Sequence, residues 1–303
     1  MSSTASDDPD LHALKELPLA KIQLLDSLSL PGSADRENDD AMGSSAAIAF
    51  VLDGVTSLSD TPLMSGRSDA AWVAHLARDL LLKAPDSLAG DPRALVRGVA
   101  EGITQEFERG RTRPPAGRYE LPWTTLSLVS VEPGRLNIAY VGDSRILVET
   151  GDDCIHNFGT TPSRGSFEAR LAQKMQSAGK GIGIEAQRQT VAAELRRARE
   201  FVNMPDGYWL LGADARVGDN LLLASLALDG PAIALLATDG FYALVEDYGA
   251  YDDRDLVATA QAIGLEALGA QLRRIEDADP VGKTYPRMKK SDDATAVLVR
   301  IEP

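Results

Sequence analysis

Apolar positions in this chain follow two rhythms. Some runs have no polar side at all, as in "AAIAFVL" from Ala46 to Leu52 and "AIALLA" from Ala232 to Ala237. Such runs predict strands covered on both faces. Other stretches repeat at helical spacing. "SDAAWVAHLARDLLLK" places Trp72, Leu76 and Leu80 four apart behind a capping Ser68, and a lysine closes its last turn. "DPRALVRGVAEGITQEFERG" has Asp91 to cap, Pro92 at the first helical position, and Leu95, Val99, Ile103 and Phe107 in one stripe up to Gly110. A third pattern, from Arg254 to Ile275, predicts one helix with Leu256, Ile263, Leu268 and Leu272 on its apolar side.

The remaining strand signals are "KIQLLDSLSL", closed by Pro31-Gly32, then "TTLSLVSV" with a Glu-Pro-Gly turn leading into "RLNIAYVGDSRILVE", and finally "LLLASLAL" and the terminal "ATAVLVRI". Residues 1–20 read as a polar tail and 21–303 as a single domain. The segment 151–210 reads as surface elaboration, with a short helix near Phe167–Met175, a break at "GKGIGIE", and a longer helix near Glu185–Phe201. Grouped strands alternating with helix pairs predict a layered α/β or α+β domain.

Composition narrows the chemistry. The 303 residues are 44% apolar, enough for a substantial core. Acidic residues outnumber basic ones by 45 to 31, a formal net charge of -14 that disfavours nucleic acid and anionic membrane as partners. The acidic start "MSSTASDDPD" lacks the basic-then-apolar pattern of a signal peptide, so the expected location is the cytoplasm. Cys154 is the single cysteine and Thr160 stands where a Cys-x5-Arg phosphatase needs arginine. The histidines are His12, His75 and His156, scattered along the chain. Enzymatic chemistry here would fall to carboxylates.

Aspartates cluster beside the buried strands: Asp39-Asp40 in "DRENDDAMG", Asp53 in "FVLDG", Asp143 in "YVGDSR", Asp239 in "LLATDG", and Asp292-Asp293 in "KKSDDATAVLV". Asp-Gly alone is a common hairpin turn, and the pairs at Asp206 and Asp229 read that way. A set of unpaired carboxylates at strand mouths would repel one another, whereas a hard divalent cation such as Mg²⁺ or Mn²⁺ relieves the repulsion. Glycine after the aspartate lets the backbone come close to the ion.

The order and content of these motifs resemble the metal-dependent Ser/Thr phosphatases of the PPM type, the protein phosphatase 2C family. "NDDA", "VLDGV", "TTLSLV" with "VGDSR", "LLATDGFYALV" and "SDDATAVLV" resemble its elements in sequence order, over about Asn38 to Val299. The resemblance implies a four-layer αββα sandwich, two antiparallel sheets flanked by helix pairs, with a metal centre at one end. It implies that Asp53 bridges two Mn²⁺ or Mg²⁺ ions, that the Gly54 carbonyl binds one, and that Asp239 and Asp292 hold the other. Asp39 would act on the metal or through its waters, and Asp143 with Asp239 would hold a third, weaker ion. The implied reaction is hydrolysis of phosphoserine or phosphothreonine in a protein substrate by a metal-bridged hydroxide, with no covalent intermediate. Residues 151–210 correspond to the family's variable flap.

Three departures stand out. Asp39 is one methylene shorter than the family's usual glutamate. Arg36 precedes it by three positions where the family's phosphate-holding arginine precedes by four, so Arg36 is either that group or a solvated loop arginine. Val55 replaces the histidine that eukaryotic members carry. Two other functions remain open at this level: a phosphatase-like domain that binds a phosphorylated partner without catalysis, and a hydrolase of small phosphoesters.

Overall fold

The computed structural model describes residues 20–59, 61–151, 154–159, 193–287 and 289–303. Its strands are β1 (Lys21–Leu30), β2 (Asp40–Ser44), β3 (Ile48–Asp53), β4 (Trp123–Thr124), β5 (Leu126–Glu132), β6 (Arg135–Val141), β7 (Arg145–Glu149), β8 (Ile155–Phe158), β9 (Leu211–Gly212), β10 (Leu222–Ala227), β11 (Ala232–Ala237) and β12 (Ala294–Glu302). The helices are α1 (Asp69–Lys83), α2 (Pro92–Gly110), α3 (Asp239–Glu246), α4 (Asp253–Ile263) and α5 (Leu265–Ala278), with a further helical stretch over 193–199. One sheet runs β1-β12-β11-β7-β8 and the other β10-β6-β5-β3-β2, with every pairing antiparallel; β4 and β9 form a small ribbon.

The unbroken apolar runs are explained by two-sided burial. On β3, Ala49 and Val51 point between the sheets, where they meet Val129, Ile138, Ile146, Leu236, Val297 and Val299. Phe50 and Leu52 point the other way, against Val73, Ala77 and Leu81 of α1 and Val96, Val99 and Ile103 of α2. On the far side, Leu147, Leu235 and Leu298 pack against Phe241, Leu256, Leu268 and Leu272 of α3–α5. The result is an αββα sandwich, the fold the resemblance implied.

Both early helices begin where the sequence signals them. The Ser68 hydroxyl accepts the Ala71 N–H and the Asp91 carboxylate accepts that of Ala94. The seating of α1 differs from expectation, because its buried face is Ala70, Val73, Ala74, Ala77 and Leu81 while Trp72, Leu76 and Leu80 lie half-buried at the flank. Small residues let the helix axis approach the sheet. The single late helix is two: Gly264, at φ +83, ends α4 and starts α5, which leaves Ile263 58% exposed. Glycine at positive φ interrupts the helical register that the apolar spacing alone continues.

The strand expected to extend the β5–β6 hairpin, β7, belongs to the opposite sheet, so the chain crosses between layers at residues 142–144. Asp229-Gly230 likewise lies between strands of different sheets and makes no hairpin. The expected helix at Phe167–Met175 and the residues 185–192 of the longer one lie outside the described residues. No helix among the described residues is long and apolar enough to cross a membrane.

Candidate metal centre

Three chain segments deliver aspartates to one end of the sandwich. β3 ends at Asp53, whose backbone is clamped on both sides: its N–H donates to Thr125 Oγ1 at 3.1 Å, and its carbonyl accepts from Thr124 Oγ1 at 2.9 Å and from the Thr125 N–H at 2.8 Å. Asp143 occupies the crossover between β6 and β7. There Gly142 adopts φ +92, and Ser144 Oγ lies 2.8 Å from Thr125 Oγ1. Asp239 opens α3 directly after β11, so its Asp-Gly is a strand-to-helix junction rather than a hairpin. Carboxylate oxygens of Asp53, Asp143 and Asp239 all lie within 4.8 Å of one another.

The glycines after two of these aspartates serve close packing. A Cβ on Gly54 would stand 2.4 Å from Asp39 O and 2.7 Å from Ala70 O; on Gly240 it would stand 2.0 Å from Asp293 O. The Gly54 N–H donates to Asp39 O at 3.1 Å. Strand tip, the 32–39 segment, and the start of α1 are thereby pressed together.

Around the trio stand carboxylates with assigned partners. Asp39 Oδ1 accepts the Ser68 hydroxyl, which ties it to the N-terminus of α1. Asp40 is buried and its Oδ2 accepts Thr238 Oγ1 at 2.9 Å. Asp293 accepts the Gly32 N–H on one oxygen and the Asp39 N–H on the other, each at 2.7 Å. Asp292 Oδ1 accepts Lys289 Nζ at 2.7 Å and the Asp293 N–H at 2.9 Å.

Burial and mutual repulsion dominate the electrostatics. Asp53 is pushed well above the usual carboxylate range, first by burial and then by Asp239, Asp40, Asp143 and Asp292. Asp40 is pushed up to about 8, chiefly by burial, against the opposing hydrogen bond from Thr238. Asp39 is raised by burial, with the Ser68 hydroxyl opposing. Burial pulls the Lys289 ammonium down, but the Asp292, Asp53 and Asp239 carboxylates outweigh it and lift it above its ordinary value. All-oxygen donors, too close to ionise together unaided, fit a hard divalent cation.

Of the residues named from sequence, Asp53, Asp143 and Asp239 converge most closely, with Gly54 beside them and Asp39 and Asp292 on the rim. Arg36 lies exposed on the 33–36 turn, and no ion pair links it to these carboxylates. The sequence reading names Asp40 and Asp293 only as members of aspartate pairs and Ser68 only as a helix cap, and it does not reach Thr238 or Lys289. The doubled aspartates were visible, yet their division of labour was not: Asp40 is held by the Thr238 hydroxyl and Asp293 by the Gly32 and Asp39 N–H groups, while Asp39 meets Ser68 and Asp292 meets Lys289.

The protein phosphatase 2C family model matches residues 33–273. Among solved structures, the chain is similar to PppA, described as a key regulatory component of the T6SS in Pseudomonas aeruginosa, with 18% identity, a TM-score of 0.54, and coverage of 93% of this chain and 99% of that one. It is similar to the catalytic domain of the serine/threonine protein phosphatase PstP in complex with two manganese ions, at 16% identity and a TM-score of 0.56, covering 94% and 100%. It is also similar to the serine/threonine phosphatase Stp1 from Staphylococcus aureus, at 18% identity and a TM-score of 0.51, covering 94% and 96%. No curated protein matches significantly. At these identities the solved structures establish the fold, and the family match, which spans most of the sequence, establishes the relationship: the chain belongs to the protein phosphatase 2C family.

Proposed function

We propose that this protein is a Mn²⁺- or Mg²⁺-dependent phosphatase acting on phosphoserine and phosphothreonine in protein substrates. The observation that carries the reading is the convergence of Asp53, Asp143 and Asp239 within 4.8 Å at the end of a rigid sandwich. In this reading Asp53 and the Gly54 carbonyl, Asp239 and Asp292 hold two ions, Asp39 contributes through water, and Asp143 with Asp239 holds a third. Bound divalent ions supply an acidified water and offset negative charge on the phosphoryl oxygens.

The chain's own part is positioning. Threonines 124 and 125 fix the Asp53 backbone from both sides, and the α3 junction fixes Asp239. Ser68 holds one oxygen of Asp39 and so ties that carboxylate to the N-terminus of α1. Arg36 is proposed as the cation that meets the substrate phosphate at the rim.

The test is p-nitrophenyl phosphate hydrolysis by chelator-stripped protein with Mn²⁺, Mg²⁺ or Ca²⁺ restored. Activity should require Mn²⁺ or Mg²⁺ and fall by at least roughly 100-fold in Asp53→Ala and Asp239→Ala, since loss of a group supporting a metal already costs 10- to 100-fold. Undiminished turnover in both variants would sink the assignment; phosphopeptides then test the substrate class.

A further inference from the structure

The stretch between α5 and β12 is braced from within. Asp279 accepts the N–H groups of Lys283, Thr284 and Tyr285 at 2.7, 3.1 and 2.9 Å. The Arg287 guanidinium reaches Asp279 Oδ2 at 3.2 Å and the carbonyls of Glu276, Tyr285 and Lys290 at 3.2, 3.0 and 2.8 Å. Arg273 holds the Asp292 carbonyl at 2.8 Å together with those of Leu30 and Pro31. Both ends of the stretch are therefore fixed, and Lys289 is carried to a defined place.

That place is the rim of the carboxylate cluster. The Lys289 ammonium lies 2.7 Å from Asp292 Oδ1 and 3.5 Å from the hydroxyl of Thr56, in the loop that follows Asp53-Gly54. Its neighbour Lys290 pairs with Asp277 instead, at 2.6 Å. The Lys289 side chain is 45% exposed.

We propose that Lys289 is a tethered counter-ion of Asp292 that a divalent cation must displace, and that this lysine sets the metal affinity of the centre. The inference rests on the reading of Asp292 as a metal ligand. Asp292 Oδ1 already accepts two hydrogen bonds, one charge-assisted, so an incoming cation competes for the same lone pairs. Until it moves away, the ammonium also repels that cation. Lys289 therefore shields the cluster in the metal-free protein and weakens its hold on the metal.

The experiment is a Mn²⁺ titration of the chelator-stripped full chain, followed by the electron paramagnetic resonance signal of free Mn²⁺ and by calorimetry. The proteins compared are the wild type, Lys289→Met, Lys289→Arg, Asp292→Asn and the Lys289→Met/Asp292→Asn double variant. Loss of an exposed ion pair and of one nearby positive charge predicts about three- to tenfold tighter binding in Lys289→Met. Lys289→Arg, which keeps the charge, should stay near the wild type, and the gain should shrink in the Asp292→Asn background, where only the direct repulsion between ammonium and cation is left to relieve. Unchanged or weaker binding in Lys289→Met overturns the proposal, as does a gain that is just as large without the Asp292 carboxylate. A wild type that binds no Mn²⁺ overturns the metal-centre reading itself, and the counter-ion role with it.

Discussion

Asp40 stands directly opposite Asp53 at the open end of the β2–β3 ladder, where β2 begins and β3 ends. Residues facing each other in an antiparallel pair share one side of the sheet, where like charges destabilise it. The fold separates their roles: Asp40 is tied inward to the Thr238 hydroxyl, while Asp53 joins Asp143 and Asp239. The arrangement weakens the metal-free protein and concentrates negative charge where a cation can use it.

This gives the metal-free protein an inverted pH dependence. Asp40 titrates at about 8 in the folded chain against an ordinary 3.8, and Asp53 and Asp39 are shifted the same way. Between those pH values the folded state keeps protons that the unfolded state has released, so these groups lower stability as pH rises from about 4 to 8. In chelator, the melting temperature should climb as pH falls from 8 to 5.5. Asp40→Asn should flatten that slope, and saturating Mn²⁺ should reverse it, because the ion requires ionised carboxylates. Differential scanning fluorimetry across this range, with and without Mn²⁺, measures all three.

Gly54→Ala tests whether the close approach at the strand tip is required. Its Cβ would meet two backbone carbonyls, Asp39 O and Ala70 O, and neither can swing aside as a side chain could. We expect a loss of about 1–3 kcal/mol in urea unfolding, the range for overpacking. Mn²⁺ affinity should fall with it, because relief of the clash moves Asp39 and the start of α1.

Ser68→Ala removes two bonds made by one hydroxyl: the helix cap on Ala71 and the bond to Asp39. Loss of a cap costs about 1 kcal/mol. Ser68→Asp would restore the cap but set a second carboxylate against Asp39, so its stability should recover only when Mn²⁺ is added. Thermal melts of the two variants with and without the ion separate capping from the bond to Asp39.

The legible parts of the sequence were those where local chemistry and tertiary packing agree. Ser68 and Asp91 cap the helices they announce, and the run ending at Asp53 is buried on both faces as its lack of polar residues requires. Illegible features depend on partners distant in sequence. Ala74 and Ala77 replace the larger Leu76 and Leu80 on the buried face of α1 because the sheet sets the distance of approach. Asp293 is fixed by two N–H groups more than 250 positions away, and no local pattern distinguishes it from Asp292.

Asp293 and Asp143 should respond oppositely to removal. The Asp293 carboxylate accepts two backbone N–H groups, Gly32 and Asp39, and pins the 32–39 segment to the start of β12. Hydrogen bonds to a charged group contribute about 1.5–3 kcal/mol each, so Asp293→Ala should destabilise the metal-free protein by about 2–5 kcal/mol. Asp293→Asn keeps one accepting oxygen and should lose roughly half as much. Asp143 instead adds charge to a crowded cluster and raises Asp53. Asp143→Ala relieves repulsion, so in chelator its stability should equal or exceed the wild type, while fewer Mn²⁺ ions bind. Urea unfolding in chelator, paired with Mn²⁺ titration of the same samples, reads both. Marked destabilisation by Asp143→Ala in chelator would mean that its carboxylate is structural, and the cluster would lose one of its three candidate cation ligands.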